Sequence, residues 1–141
     1  MNDWYSHALS VGAARINIMS TTRDPKYYDQ DGYPTYEACE KITAWDCKDP
    51  AGWLDFIFTI WHLRTPGWHT EPCVVSHWSG HDLGGTRYYL STVGWSGNEM
   101  LIKMMQKNEM LWDETWHQSQ RGGHHIFEVA LEEIPEEKEN D

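Results

Sequence analysis

The sequence predicts an α+β fold, with a small, mostly antiparallel sheet of three or four strands packed against three or four helices. Two observations support this prediction. Apolar residues recur at helical spacing in the first half of the chain, and after the Thr65-Pro66-Gly67 breaker they change to short, β-like runs. At 141 residues, the chain also suits one hydrophobic core. We therefore expect one globular domain over residues 1–131.

Three helices are predicted in the first half. Asn2 or Asp3 can cap a helix that runs to about residue 19. Thr35 begins a short second helix with a buried apolar stripe. The pair Asp49-Pro50 is typical of a helix start, with Asp as the N-cap and Pro at the first position. The third helix, over residues 51–63, is so rich in apolar side chains that we expect it to be the central buried helix.

The second half of the sequence predicts strands at 73–78 and 87–93 and a final strand at 124–131. Between them, apolar residues at helical spacing predict one amphipathic helix over 98–119, with Trp112 largely buried. Gly122 and Gly123 are interpreted as its C-terminal caps.

Charge and composition exclude several classes of function. The net charge of -11, from 22 acidic and 11 basic residues, would repel a polyanion, so no nucleic acid polymer is expected as a partner. Residues 132–141 hold six of the acids and predict a flexible acidic tail. No apolar run is long enough to cross a bilayer, so we expect a cytoplasmic protein without a membrane partner. The three cysteines are not closely paired, which favours reduced thiols.

Nine tryptophans are more than so small a domain readily buries. Surplus aromatic side chains at a surface indicate a protein interface or a platform on which flat rings stack. They also make a homo-oligomer the expected assembly.

The segment GWSGNE at 94–99 has two interpretations. Ser96 and Glu99 can form a capping box, in which each side chain bonds to the other residue's backbone N–H. Alternatively, the free N–H groups of this strand-to-helix turn suit an anion. In a combined form, Trp95 would stack on a ligand ring while Asn98 and Glu99 meet ribose hydroxyls.

The segment RGGH at 121–124 also has two interpretations. Arg121 can complement a helix dipole beside the two capping glycines, or it can act as a planar fork for a phosphate or carboxylate. A helix of about 20 residues spans roughly 30 Å, so one subunit would hold the two turns too far apart for one small ligand. A shared site would then require a second subunit.

The histidines raise a metal hypothesis, with His77, His81 and Asp82 as the most closely spaced set. On a strand leading into a loop, this spacing does not place two imidazoles on one face, and HExxH is absent. Ser79 lies beside His81 and Asp82, but catalytic triads are built from spatial rather than sequential neighbours. We expect no bound metal, no cofactor and no catalytic constellation.

The segments 94–99 and 121–127 together resemble a group of small proteins encoded by tailed phages and prophages. In that group a GWSGNE-type turn is followed, about one helix later, by RGGH and an aromatic strand. The resemblance covers roughly the last third of the chain. It implies a phage setting and points to these two turns as the site, but it implies no particular reaction.

The resulting hypothesis is a phage-encoded anti-defence protein, active in the cytoplasm of the infected bacterium, that binds and sequesters a small nucleotide-derived immune signal of the host. One alternative is an acidic inhibitor that binds a host defence protein, and another is a metal-assisted hydrolase of such a nucleotide. The candidate ligand-binding residues are Arg87, Trp95, Ser96, Asn98, Glu99, Arg121, Gly122, Gly123 and His124.

Overall fold

The computed structural model describes residues 24–76 and 79–131. The predicted first helix and the acidic tail lie outside these residues. After a short 3-10 helix at Pro25–Tyr27, the helices are α1 (Tyr36–Thr43), α2 (Pro50–Ile60), α3 (Arg64–Gly67), α4 (Ser96–Lys107) and α5 (Glu109–Thr115). The strands are β1 (Trp68–Ser76), β2 (Asp82–Ser91), β3 (Trp116–Gln120) and β4 (His124–Ala130).

The four strands form one antiparallel sheet in the order β1-β2-β4-β3. Tyr88 and Leu90 of β2 and Phe127 of β4 point to one face and join the hydrophobic core with the helices. The alternate residues of each strand form the opposite face, which we call the outer face. The α+β prediction is confirmed: four antiparallel strands pack against helices on one side.

Two predicted helix starts are confirmed. The Thr35 hydroxyl accepts the Ala38 N–H at 3.3 Å, and the Asp49 carboxylate accepts the Gly52 N–H at 3.1 Å. Helix α2 ends at Ile60 rather than at residue 63, because the backbone adopts an extended conformation at Trp61. Its buried residues make it the central helix, as expected.

The prediction of a single helix over 98–119 is wrong. Helix α4 ends at Lys107, and the Asn108 side chain then caps α5 by accepting the Leu111 N–H at 3.3 Å. The Asn108 amide also donates to the carbonyl of Ile42 at 3.0 Å, which fixes the break against the core. From Trp116 the chain is a strand. The unit from β1 onward is therefore strand, strand, helix, helix, strand, strand.

The interpretation of the glycine pair as helix caps is also wrong. Gly122 and Gly123 do not cap a helix but form the turn of the β3–β4 hairpin, with φ of 97° and 84°. Trp112 packs partly buried against the core, and its ring lies edge-on to that of Phe127 with centroids 5.3 Å apart. None of the helices in the described part of the chain is long and apolar enough to cross a membrane.

Candidate functional site

The two glycine turns lie side by side in one subunit. The backbone N–H of Thr92, just before GWSGNE, donates to the carbonyl of Gly123 at 3.0 Å. The two turns pack tightly at this point, since a Cβ on Gly123 would lie 2.3 Å from the Thr92 hydroxyl oxygen. The predicted separation of about 30 Å is therefore wrong, because α5 and β3 fold back where one long helix was expected. No second subunit is needed to bring the turns together.

Trp95 packs inside the protein's own loops. Its ring centroid lies 4.3 Å from that of His62 and 4.8 Å from that of Tyr33. The capping-box prediction is wrong: Trp95 is the N-cap of α4, no side chain bonds to the cap, and Ser96 is the first helical residue. The Ser96 hydroxyl instead bonds to the Tyr33 hydroxyl at 2.6 Å. The geometry of Trp95 and Ser96 thus anchors the loop that carries Tyr33.

Asn98 is fully buried and joins three backbone groups. Its Oδ1 accepts the His62 N–H at 2.9 Å, and its Nδ2 donates to the carbonyls of His62 at 2.9 Å and Thr92 at 3.4 Å. These bonds connect the segment after α2 to the start of α4. The contacts of Asn98 are therefore structural, and its neighbour Glu99 is exposed on the first turn of the helix.

The two arginines predicted to bind a ligand lie in different places. Arg87 is on the outer face, where its Nε and Nη2 donate to one carboxylate oxygen of Glu128, at 2.8 Å from Nε. Hydrogen bonds with Tyr89 and Glu128 raise the pKa of Arg87 above its usual value. Arg121 is exposed in the hairpin turn and adjoins no helix end, so the helix-dipole interpretation of its charge no longer applies.

A groove of about 610 Å³ opens on the outer face beside the hairpin turn. Of the residues proposed from the sequence, His124 is the one that lines it, and the ring of His124 lies against Gly122. The groove is bounded by strands β1, β2 and β4, the end of β3, and α3. Its lining residues are Pro66, His69, Glu71, Tyr89, Leu90, Ser91, Gln120, His124, His125 and Ile126.

An aromatic pair and a carboxylate occupy the side of the groove formed by β1 and β2. The rings of His69 and Tyr89 stack at 5.1 Å with 24° between their planes. The Tyr89 hydroxyl donates to Glu71 at 2.6 Å, and the same carboxylate lies 3.7 Å from Nε2 of His69. Burial lowers the pKa of His69 and raises that of Tyr89, which favours the neutral form of both side chains.

Most of this groove was not predicted from the sequence. None of His69, Glu71, Tyr89, Ser91 and Gln120 is among the candidate ligand-binding residues. Polar residues do not alternate along β1, where His69, Thr70 and Glu71 are consecutive. The shared face of His69 and Tyr89 follows from the strand register, which pairs these two residues.

No known protein-family model, curated protein or solved structure matches this chain. Among residues 24–76 and 79–131, no group of three or more His, Cys, Asp or Glu side chains could hold a metal ion. His77, part of the metal hypothesis, lies outside these residues. Cys39, Cys47 and Cys73 are free thiols, each half-buried.

Proposed function

We propose that this protein binds a small nucleotide-derived ligand in the groove of the outer face. The observation that carries the proposal is the stacked pair of His69 and Tyr89 at one side of a concave site that also presents polar side chains. A ligand ring can extend this stack, because nucleobases pack on aromatic side chains.

The groove's size and polar groups fit such a ligand. Its volume of about 610 Å³ falls in the range of small-molecule sites, roughly 300 to 1,000 Å³. Ser91, Gln120 and His124 can hydrogen-bond to a ribose or a phosphate. Arg121 follows Gln120 directly, and its guanidinium can reach a phosphate at the rim of the groove. The overall negative charge favours a short ligand over a polymer.

The resemblance of the two glycine turns to small phage proteins supplies the biological setting of the proposal. In that setting the ligand is a nucleotide signal made by host immunity, and the protein acts in the cytoplasm of the infected cell. Removal of the signal from the free pool would block the defence.

Equilibrium dialysis tests binding directly. The protein is dialysed against linear diribonucleotides, their 2′-deoxy counterparts and cyclic dinucleotides, which are quantified by mass spectrometry. We expect at least one to bind, with affinity lowered about tenfold or more by Tyr89→Leu or Gln120→Ala. Gln106→Ala, at an exposed position of α4, is the matched control and should bind like the parent. If no nucleotide of the panel binds, the proposal is wrong.

Inhibition of a host protein is the second candidate function, and strand β3 favours it. All five residues of this edge strand are exposed, with Trp116 43% exposed, and Met110 on the preceding helix α5 is 66% exposed. An open strand edge with aromatic neighbours suits the addition of a partner's strand. Stable capture of one host protein, abolished by proline at Gln118 and unaffected by Tyr89→Leu, would favour this candidate.

A further inference from the structure

We infer that the groove also cleaves its ligand: His69 and His124 form a general base and a general acid for metal-independent breakage of a 3′–5′ ribonucleotide linkage. This inference rests on the proposed function, because cleavage requires a nucleotide bound in the same groove. The observation behind it is that His69 and His124 line one concave site from the two strands that flank β2.

Strand register sets the spacing between the two histidines. His69 on β1 pairs with Tyr89 on β2, and His124 on β4 pairs with Ser91, two residues further along β2. Two strand spacings across and two residues along the sheet place their Cα atoms about 12 Å apart. Both side chains line the groove, so a phosphodiester over β2 would lie between the imidazoles. In-line displacement needs its proton acceptor and donor on opposite sides of the phosphorus.

His69 has the surroundings of a general base. Its Nδ1 is shielded from solvent, and Nε2 lies 3.7 Å from the Glu71 carboxylate, beyond hydrogen-bonding distance. Burial favours the neutral, proton-accepting ring, and the carboxylate of Glu71 stabilises the imidazolium once the proton is taken. The Tyr89 hydroxyl, at 2.6 Å, holds Glu71 in this position. Glu71 and Tyr89 are therefore positioning residues.

His124 has the surroundings of a general acid. It is exposed at the start of β4, so solvent can reprotonate it after each turnover. The absence of a side chain at Gly122 leaves room for its ring, because a Cβ there would lie 3.3 Å from Nε2. Arg121, in the same turn, can offset the charge on the phosphate during the reaction.

The step balances without a further reactant. Nε2 of His69 takes the proton of the ribose 2′-hydroxyl, whose oxygen attacks the adjacent phosphorus. The bond from phosphorus to the 5′-oxygen breaks, and the departing oxygen takes a proton from protonated His124. The products are a 2′,3′-cyclic phosphate and a free 5′-hydroxyl. No metal or water enters this step, and a 2′-deoxy linkage cannot react.

The test is chromatography with mass spectrometry of a mixture of all diribonucleotides of the standard bases, incubated with the full chain in EDTA. We expect a 2′,3′-cyclic phosphate and a 5′-hydroxyl nucleoside as products. His69→Gln or His124→Gln should lower the rate about 100-fold or more, the usual range for loss of a general acid or base. His81→Gln, an exposed histidine outside the groove, is the matched control with unchanged rate.

Binding of the uncleavable 2′-deoxy dinucleotides separates catalysis from folding and affinity. His124→Gln and Glu71→Gln should each lower kcat by a much larger factor than they lower the affinity for these analogues. Binding of ribonucleotides without any cyclic phosphate would overturn the cleavage inference and leave the proposed function standing. Failure to bind any nucleotide would overturn both. Product formed equally by the parent and by both histidine variants would assign the activity to a contaminant and also overturn the inference.

Discussion

The Thr92 N–H and the Gly123 carbonyl, 3.0 Å apart, hold the GWSGNE turn against the RGGH turn. This bond explains how two segments far apart in the chain meet at one end of the sheet. It also places the hairpin turn, and with it His124, beside the groove on the outer face.

The close approach at Thr92 makes Gly123 sensitive to substitution. Gly123→Ala adds a Cβ 2.3 Å from the Thr92 hydroxyl oxygen and keeps a strained φ of 84°. We expect a loss of about 2 to 5 kcal/mol of unfolding free energy, from about 1 to 2 for backbone strain and about 1 to 3 for overpacking. Gly122→Ala, with φ of 97° and its nearest atom at 3.3 Å, should lose the strain component alone. Urea denaturation measures both, and equal losses would contradict the close contact.

Asn98 should matter for folding. Asn98→Ala removes the side-chain partner of the His62 N–H and of the His62 carbonyl, whereas the Thr92 carbonyl keeps the Trp95 N–H at 2.9 Å. Since each such group costs about 1 to 3 kcal/mol, we expect a total loss of about 3 kcal/mol in urea denaturation. Glu99→Ala, next in sequence but exposed, should cost less than about 1 kcal/mol. A stability of Asn98→Ala within 1 kcal/mol of the parent would show that the three hydrogen bonds are not important.

Acid should destabilise the fold through His125. Burial, and then the nearby His124, lower the pKa of His125 below its unfolded value of about 6.5. The unfolded state therefore binds the proton more readily, so the stability that the neutral ring contributes is present above about pH 6.5 and is lost as the pH falls below it. We expect a lower urea midpoint at pH 5.5 than at pH 7.5, and a smaller difference in His125→Gln. An equal or larger difference in this variant would contradict the assignment.

Arg121→Lys separates a general positive charge from a planar fork. Because Arg121 is exposed in a hairpin turn, its replacement should change the unfolding free energy by no more than about 0.5 kcal/mol. Nucleotide affinity should fall about tenfold, since lysine cannot hold a phosphate through two parallel N–H bonds. Dialysis measures the affinity and urea denaturation the stability. An unchanged nucleotide affinity would show that Arg121 does not contribute to the site.

Local signals in the sequence predicted the parts of the fold that depend on neighbouring residues. Thr35 and Asp49 cap helices as expected, because a cap is formed by residues within three positions of one another. The prediction of a single helix over 98–119 was wrong for a related reason. Leu101, Met105 and Leu111 all face the same core, so apolar periodicity continues across the break at Asn108.

The groove could not be predicted in the same way. A Gly-Gly pair can end a helix or form the turn of a hairpin, so Gly122 and Gly123 did not indicate that a strand precedes them. His69, Tyr89 and His124 come from three strands, and they meet only once the order β1-β2-β4 is known. The spacing of these residues in the sequence does not indicate the strand order.

The most direct test of nucleotide binding in the groove is mass spectrometry of the small molecules that the purified protein retains from a bacterial cell extract. The parent and Glu114→Gln, an exposed control on α5, should retain a nucleotide or its 2′,3′-cyclic phosphate product, whereas Tyr89→Leu and Gln120→Ala should lose it. Retention of no nucleotide by the parent, or of equal amounts by the parent and both groove variants, would contradict the account.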